Sequence, residues 1–204
     1  ATGCTNASNF ELQWYVPDQV STSGGSLHLT AAPRQVIGTD AKGNPTSYSY
    51  VSGLVASAGH FDFPYGYVRV RARLPEGAGL WPALWLIPSD QSWPPEIDVM
   101  EARGGESGTV HQYLHPAAGD QAAAVTKGLS AGWHTFAVDW QPGSITSYVD
   151  GAERLRTTSG VPDKSMYLVM NLAVGGWAGM VTSATRFPAS LDVDQVQVWT
   201  YPAG

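Results

Sequence analysis

Residues 93–101 read Trp-Pro-Pro-Glu-Ile-Asp-Val-Met-Glu and carry three carboxylates, Glu96, Asp98 and Glu101. The apolar neighbours Ile97, Val99 and Met100 favour a buried strand, and the two prolines stiffen its entrance. On a regular strand side chains alternate, so Glu96 and Asp98 share a face with Met100 while Glu101 points away. One extra residue, a β-bulge at Val99 and Met100, returns Glu101 to the face of the other two acids. The apolar side chains then lie opposite. Four regular steps of about 3.3 Å separate the two Glu backbones by roughly 13 Å. Side chains leaning inward close the carboxyl gap to about 5–5.5 Å, the spacing of a retaining glycosidase; an inverting one needs a wider gap for water. The shorter Asp98 fits between them as a hydrogen-bond and charge modulator.

The elements that must hold this strand are short strands with frequent turns. Residues 67–74 alternate, with Val68, Val70, Ala72 and Leu74 inward and Arg69, Arg71 and Arg73 on an exposed face. Residues 79–88 form an apolar run between Gly and Pro, which predicts a strand buried on both faces. Within residues 109–115, Val110 and Leu114 toward the core place His111 and His115 toward the glutamates. Residues 133–140 and 145–149 are strands ahead of Asp150-Gly151, a strong hairpin signal. Residues 26–30, 167–176 and 193–199 are further strands, and residues 52–57 and 59–63 are expected to pair. Residues 1–9 and 33–50 are expected to be loops, the second walling a cleft. No helix beyond a turn or two is visible. The pattern predicts an all-β sandwich in one domain over residues 1–204.

Glu-Ile-Asp-Val-Met-Glu resembles the signature of glycoside hydrolase family 16 in its bulged form, as in laminarinases, agarases and carrageenases. The resemblance runs from about Phe10 to Tyr201. It includes Phe-Glu-Leu-Gln-Trp-Tyr at 10–15, which lines one cleft end in that family, and Gly-Leu-Trp-Pro-Ala-Leu-Trp-Leu-Ile-Pro at 79–88. Leu-Asn-Leu-Ala-Val-Gly-Gly follows within 167–176. The resemblance implies a jelly-roll β-sandwich of two curved antiparallel sheets, with substrate in the concave face. It makes Glu96 the nucleophile, Glu101 the acid and then base, and Asp98 their modulator. The charge of Glu96 should hold up the pKa of Glu101. Trp81 matches a sugar-stacking tryptophan, whereas Trp85 is assigned to the core. His115 matches the final His of His-Gly-Thr-Val-His. Trp93, His111, Asn171 and Trp177 complete the expected substrate-binding set. No metal is expected in the chemistry. A structural Ca²⁺ is known in relatives, and Asp194 matches one of its ligands.

Two departures bear on this resemblance. Relatives carry a further N-terminal segment with a first strand, so a sheet edge is expected to be uncovered. Many β-1,3-glucanases have Arg where this chain has Leu54, so galactans and other β-glucans stand beside β-1,3 or mixed-linkage β-1,3-1,4-glucan as substrates. A non-catalytic, lectin-like glucan-binding module is the competing class.

Composition narrows the partners. The net charge of −6, with no Lys/Arg cluster, argues against nucleic acid. Eight Trp and nine Tyr against 14% charged residues suit a neutral sugar. The 23 Gly and 14 Pro in 204 residues exceed the usual share of about 12% and fit a turn-rich fold. No apolar stretch is long enough to span a membrane. Cys4 has no partner for an intrachain disulfide. A monomer is expected, and an extracellular location, since a mature secreted chain has lost its signal peptide.

Overall fold

The computed structural model describes residues 3–201. Two sheets pack face to face, with strands numbered in chain order. The larger runs β1 (Gln13–Tyr15), β4 (Pro45–Ser52), β3 (Ser26–Thr39), β15 (Ala189–Thr200), β6 (Gly66–Arg73), β11 (Trp133–Gln141), β12 (Ser144–Val149) and β13 (Ala152–Thr157). A short β2 (Val20–Ser23) pairs onto β3. The smaller runs β10 (Ala122–Thr126), β9 (Val110–His115), β8 (Glu96–Glu101), β7 (Leu80–Pro88), β14 (Met166–Val174) and β5 (Leu54–Ala56). All pairings are antiparallel except β1 with β4. The architecture is the expected all-β jelly-roll sandwich.

The core lies between the sheets and follows from period-2 patterning. Val68, Val70 and Ala72 of β6 are fully buried and meet Leu84 and Leu86 of β7, Ile97 of β8 and Phe136 of β11 in one cluster. The β12–β13 hairpin turns on Asp150 and Gly151, with φ of 51° and 77°, the left-handed pair that such a two-residue turn requires.

Three expectations fail. Residues 33–50 are not a loop: β3 continues to Thr39, a tight turn follows, and β4 begins at Pro45. Asp40 Oδ1 closes that turn by accepting from the Lys42 and Asn44 N–H groups at 2.8 Å. Pro33 is tolerated because the β3–β4 register shifts between Pro33 and Val36. Residues 52–57 and 59–63 do not pair; β5 pairs with β14, and Phe61 N–H folds back onto the Ser57 carbonyl. Finally, β7 is not buried on both faces. Leu80, Leu84 and Leu86 enter the core, while Trp81 and Trp85 on the other face line an open cleft.

Candidate active site

The bulge expected in β8 is present. Across β7, Met100 pairs with Leu84 and Asp98 with Trp85, so Val99 has no partner of its own. Across β9, Asp98 pairs with Tyr113 and Glu101 with His111, three residues against two. Val99 and Met100 are consecutive yet both fully buried and both part of the core between the sheets, as a bulge allows. Glu96, Asp98 and Glu101 therefore share the concave face and line one chamber of about 220 Å³. A wider groove of about 810 Å³ adjoins it and holds Trp93, Tyr113, His115 and Trp177.

Each glutamate accepts an indole N–H. Trp81 Nε1 donates to Glu101 Oε1 at 2.8 Å, and Trp93 Nε1 donates to Glu96 Oε2 at 2.8 Å. Trp93 is otherwise 65% exposed, an aromatic face at the cleft rim. Burial lifts Glu101 to about 7; the Trp81 N–H opposes this and the Glu96 charge adds to it. The Glu96 charge expected to hold it up does contribute, but desolvation leads. Asp98, 1% exposed, is pushed well above the carboxylate range by burial, then by the charges of Glu101 and Glu96. A hydrogen bond with Glu96 acts in the same direction. His115 Nε2 lies 3.1 Å from Asp98 Oδ2 without the alignment to hydrogen-bond it. Glu96, Asp98 and His115 come within 4.8 Å of one another, although no metal-ligand spacing marks them in sequence.

Other expected residues take different parts. Asn171 faces the cleft as expected, and its amide also ties the wall together: Oδ1 accepts from Trp85 Nε1 at 2.7 Å and Nδ2 donates to the Tyr15 hydroxyl at 2.9 Å. His111 does not line the cleft. It is 7% exposed, meets Trp177 edge-on at 4.9 Å and contacts the Tyr113 hydroxyl through Nδ1 at 3.1 Å. Burial, then Arg103, depress its pKa. Trp177 stands edge-on to Trp81 with centroids 5.7 Å apart, and the Arg103 guanidinium lies 4.8 Å from its ring centroid. Gly176, at φ 56°, allows that approach: a Cβ there would stand 2.9 Å from Trp81 Cζ3. Asp194 lies at a bulge in β15, far from this chemistry in the larger sheet. Its Oδ2 accepts from Arg71 Nη1 at 2.5 Å, and its buried Oδ1 has no hydrogen-bond partner.

The family model for glycosyl hydrolases family 16 matches residues 6–196. The chain belongs to this family. Among its relatives, an endo-1,3-1,4-beta-glycanase of Rhizobium meliloti is 35% identical, covering 98% of this chain and 46% of that protein. A keratan-sulfate endo-1,4-beta-galactosidase of Sphingobacterium multivorum is 33% identical, over 92% of this chain and 47% of that protein. The chain spans about half the length of these two relatives. The solved endo-beta-1,3-glucanase of Pyrococcus furiosus superposes with a TM-score of 0.86 at 32% identity, covering 97% of this chain and 83% of that one.

Within this family 16 cleft, Trp85 and the N-terminal wall are the features that sequence reasoning missed. Trp85 lies four residues after Trp81, and alternation alone puts both on one face of β7. Asn6 and Asn9 line the chamber beside a single 3₁₀ turn, Ala7–Asn9, for which the small polar composition carries no signal.

Proposed function

We propose that this domain cleaves β-1,3 or mixed-linkage β-1,3-1,4-glucan internally and with retention, by double displacement on two glutamates. The observation that carries this is the bulge, which sets Glu96 and Glu101 on one cleft while burial tunes Glu101 to about 7. A carboxyl with that pKa carries a proton to give near neutral pH. Glu96 attacks the anomeric carbon as Glu101 protonates the departing glycosidic oxygen, and the bond between them breaks. Glu101 then takes a proton from water, which attacks the glycosyl ester and frees Glu96. Asp98, protonated and buried, hydrogen-bonds Glu96 before it attacks. A non-catalytic module would not need all three acids.

Charge supports a neutral polymer. No Lys or Arg lines the chamber or the adjoining groove, whereas Glu11, Glu96, Asp98 and Glu101 do. Sulfated chains would meet like charge without a compensating cation.

Glu96→Gln tests the mechanism: the fold and glucan binding should persist while turnover is lost. A variant keeping about a tenth of wild-type kcat would remove Glu96 from the reaction. Product profiles on laminarin, lichenan, agarose and a sulfated galactan test the substrate.

A structural Ca²⁺ at Asp194 is a separate proposal. One buried carboxylate oxygen without a donor fits such an ion, and backbone carbonyls and water would complete its shell. Its part would be to tie β15 to the neighbouring β2–β3 turn. Added Ca²⁺ should then raise Tm in wild type and not in Asp194→Asn.

A further inference from the structure

A fourth carboxylate lines the chamber and has no part in the chemistry above. Glu11 is 9% exposed, and among the described residues no cation pairs with it. Neutral donors surround it instead. Gln13 Nε2 donates to Oε2, Asn9 Nδ2 reaches Oε1 at 3.4 Å, and the Asn6 N–H and Tyr15 hydroxyl approach Oε2 at 3.4 Å. Burial pushes its pKa up, and these donors pull it back.

From this carboxylate a chain of hydrogen bonds leads to the cleft face of Trp85. Tyr15 accepts from Asn171 Nδ2 at 2.9 Å, and Asn171 Oδ1 accepts from Trp85 Nε1 at 2.7 Å. The chain has one sense. An indole N–H can only donate and a carboxylate can only accept, so Asn171 turns its carbonyl to Trp85 and its amide to Tyr15. A glutamine at position 11 can turn an N–H toward Tyr15, and the chain is then held in that sense from the Trp85 end alone. Tyr15 could then donate to Asn171, and an inverted Asn171 would set its own N–H against the indole N–H.

We propose that Glu11 is a positioning residue for substrate: its carboxylate terminates the one-way chain Trp85–Asn171–Tyr15–Glu11 and so fixes the Trp85 indole in the cleft. The role rests on the functional reading given above. Glu11 contacts no reacting atom and acts through Trp85 on binding.

The test is a double-mutant cycle in kcat and KM on mixed-linkage glucan oligosaccharides, with Tm measured alongside. Glu11→Gln should raise KM about tenfold and leave kcat within about twofold. Trp85→Phe keeps an aromatic ring but removes the N–H that starts the chain. In that background Glu11→Gln should change KM by no more than about twofold. If Glu11→Gln fails to fold, Tyr15→Phe breaks the chain one link later and must show the same non-additivity. Additive effects on KM, or an equal fall in kcat, would overturn the assignment while leaving the glycosidase reading intact. No turnover of any β-glucan by wild type would overturn both.

Discussion

Trp81 Nε1 donates to Glu101 Oε1 at 2.8 Å, so the side chain expected to stack on sugar also holds the expected proton donor. The two duties separate in Trp81→Phe, which keeps an aromatic face and loses the N–H. That N–H favours the ionised carboxylate, and without it the pKa of Glu101 rises above about 7. The alkaline limb of kcat/KM should therefore shift upward in the variant, with a KM change smaller than that of Trp81→Ala. An unmoved limb would mean that the hydrogen bond does not govern the acid.

The same burial has a stability signature. The carboxyl of Glu101 moves from 4.5 to about 7 on folding, so the folded protein binds more protons between those values. Stability must then fall as pH rises across that window, and buried Asp98 acts in the same direction. Glu101→Gln removes the ionisation and keeps the shape. Its Tm advantage over wild type should be absent near pH 4.5 and grow to a few degrees above pH 7. A difference that is flat with pH would place the source of the effect elsewhere.

What was legible in the sequence depended on whether alternation alone decided it. The bulge was legible because two acids and a third could share a face only if Val99 and Met100 broke the period, and both are buried. Trp81, Trp93, His115 and Trp177 reach the cleft from strands or turns that the family pattern marks. His111 misleads because alternation fixes its face but not what covers it, and Trp177 does so. Residues 33–50 hide two strands because Pro33, Gly38 and Pro45 carry the signals of a loop. A register shift at Pro33 and a strand start at Pro45 remove their cost. The N-terminal wall was illegible because Asn6 and Asn9 meet Glu11 around a single irregular turn, where neither strand nor helix periodicity says which way a side chain points.

The bulge itself can be tested by removal. Deleting Met100 leaves Glu-Ile-Asp-Val-Glu, in which regular alternation puts both glutamates on the concave face without an irregularity. The strand can still pair with β7 and β9, and Val99 still fills the core, so a folded sandwich is expected. Losing the fully buried Met100 side chain costs about 2–5 kcal/mol, as in other large core truncations, and Tm should fall accordingly. Met100→Ala carries the same packing loss with the bulge intact, so it separates packing from aim. Below its Tm it should keep most of its activity. The deletion changes where Glu101 meets Trp81 and the glycosidic oxygen, and an error near 1 Å costs about a hundredfold in rate. Turnover in the deletion should thus fall about a hundredfold below that of Met100→Ala, with retention of configuration preserved and read by NMR of the first product. Equal rates in the two variants would show that the bulge only seats a methionine, and that Glu101 needs no re-aiming to reach the bond.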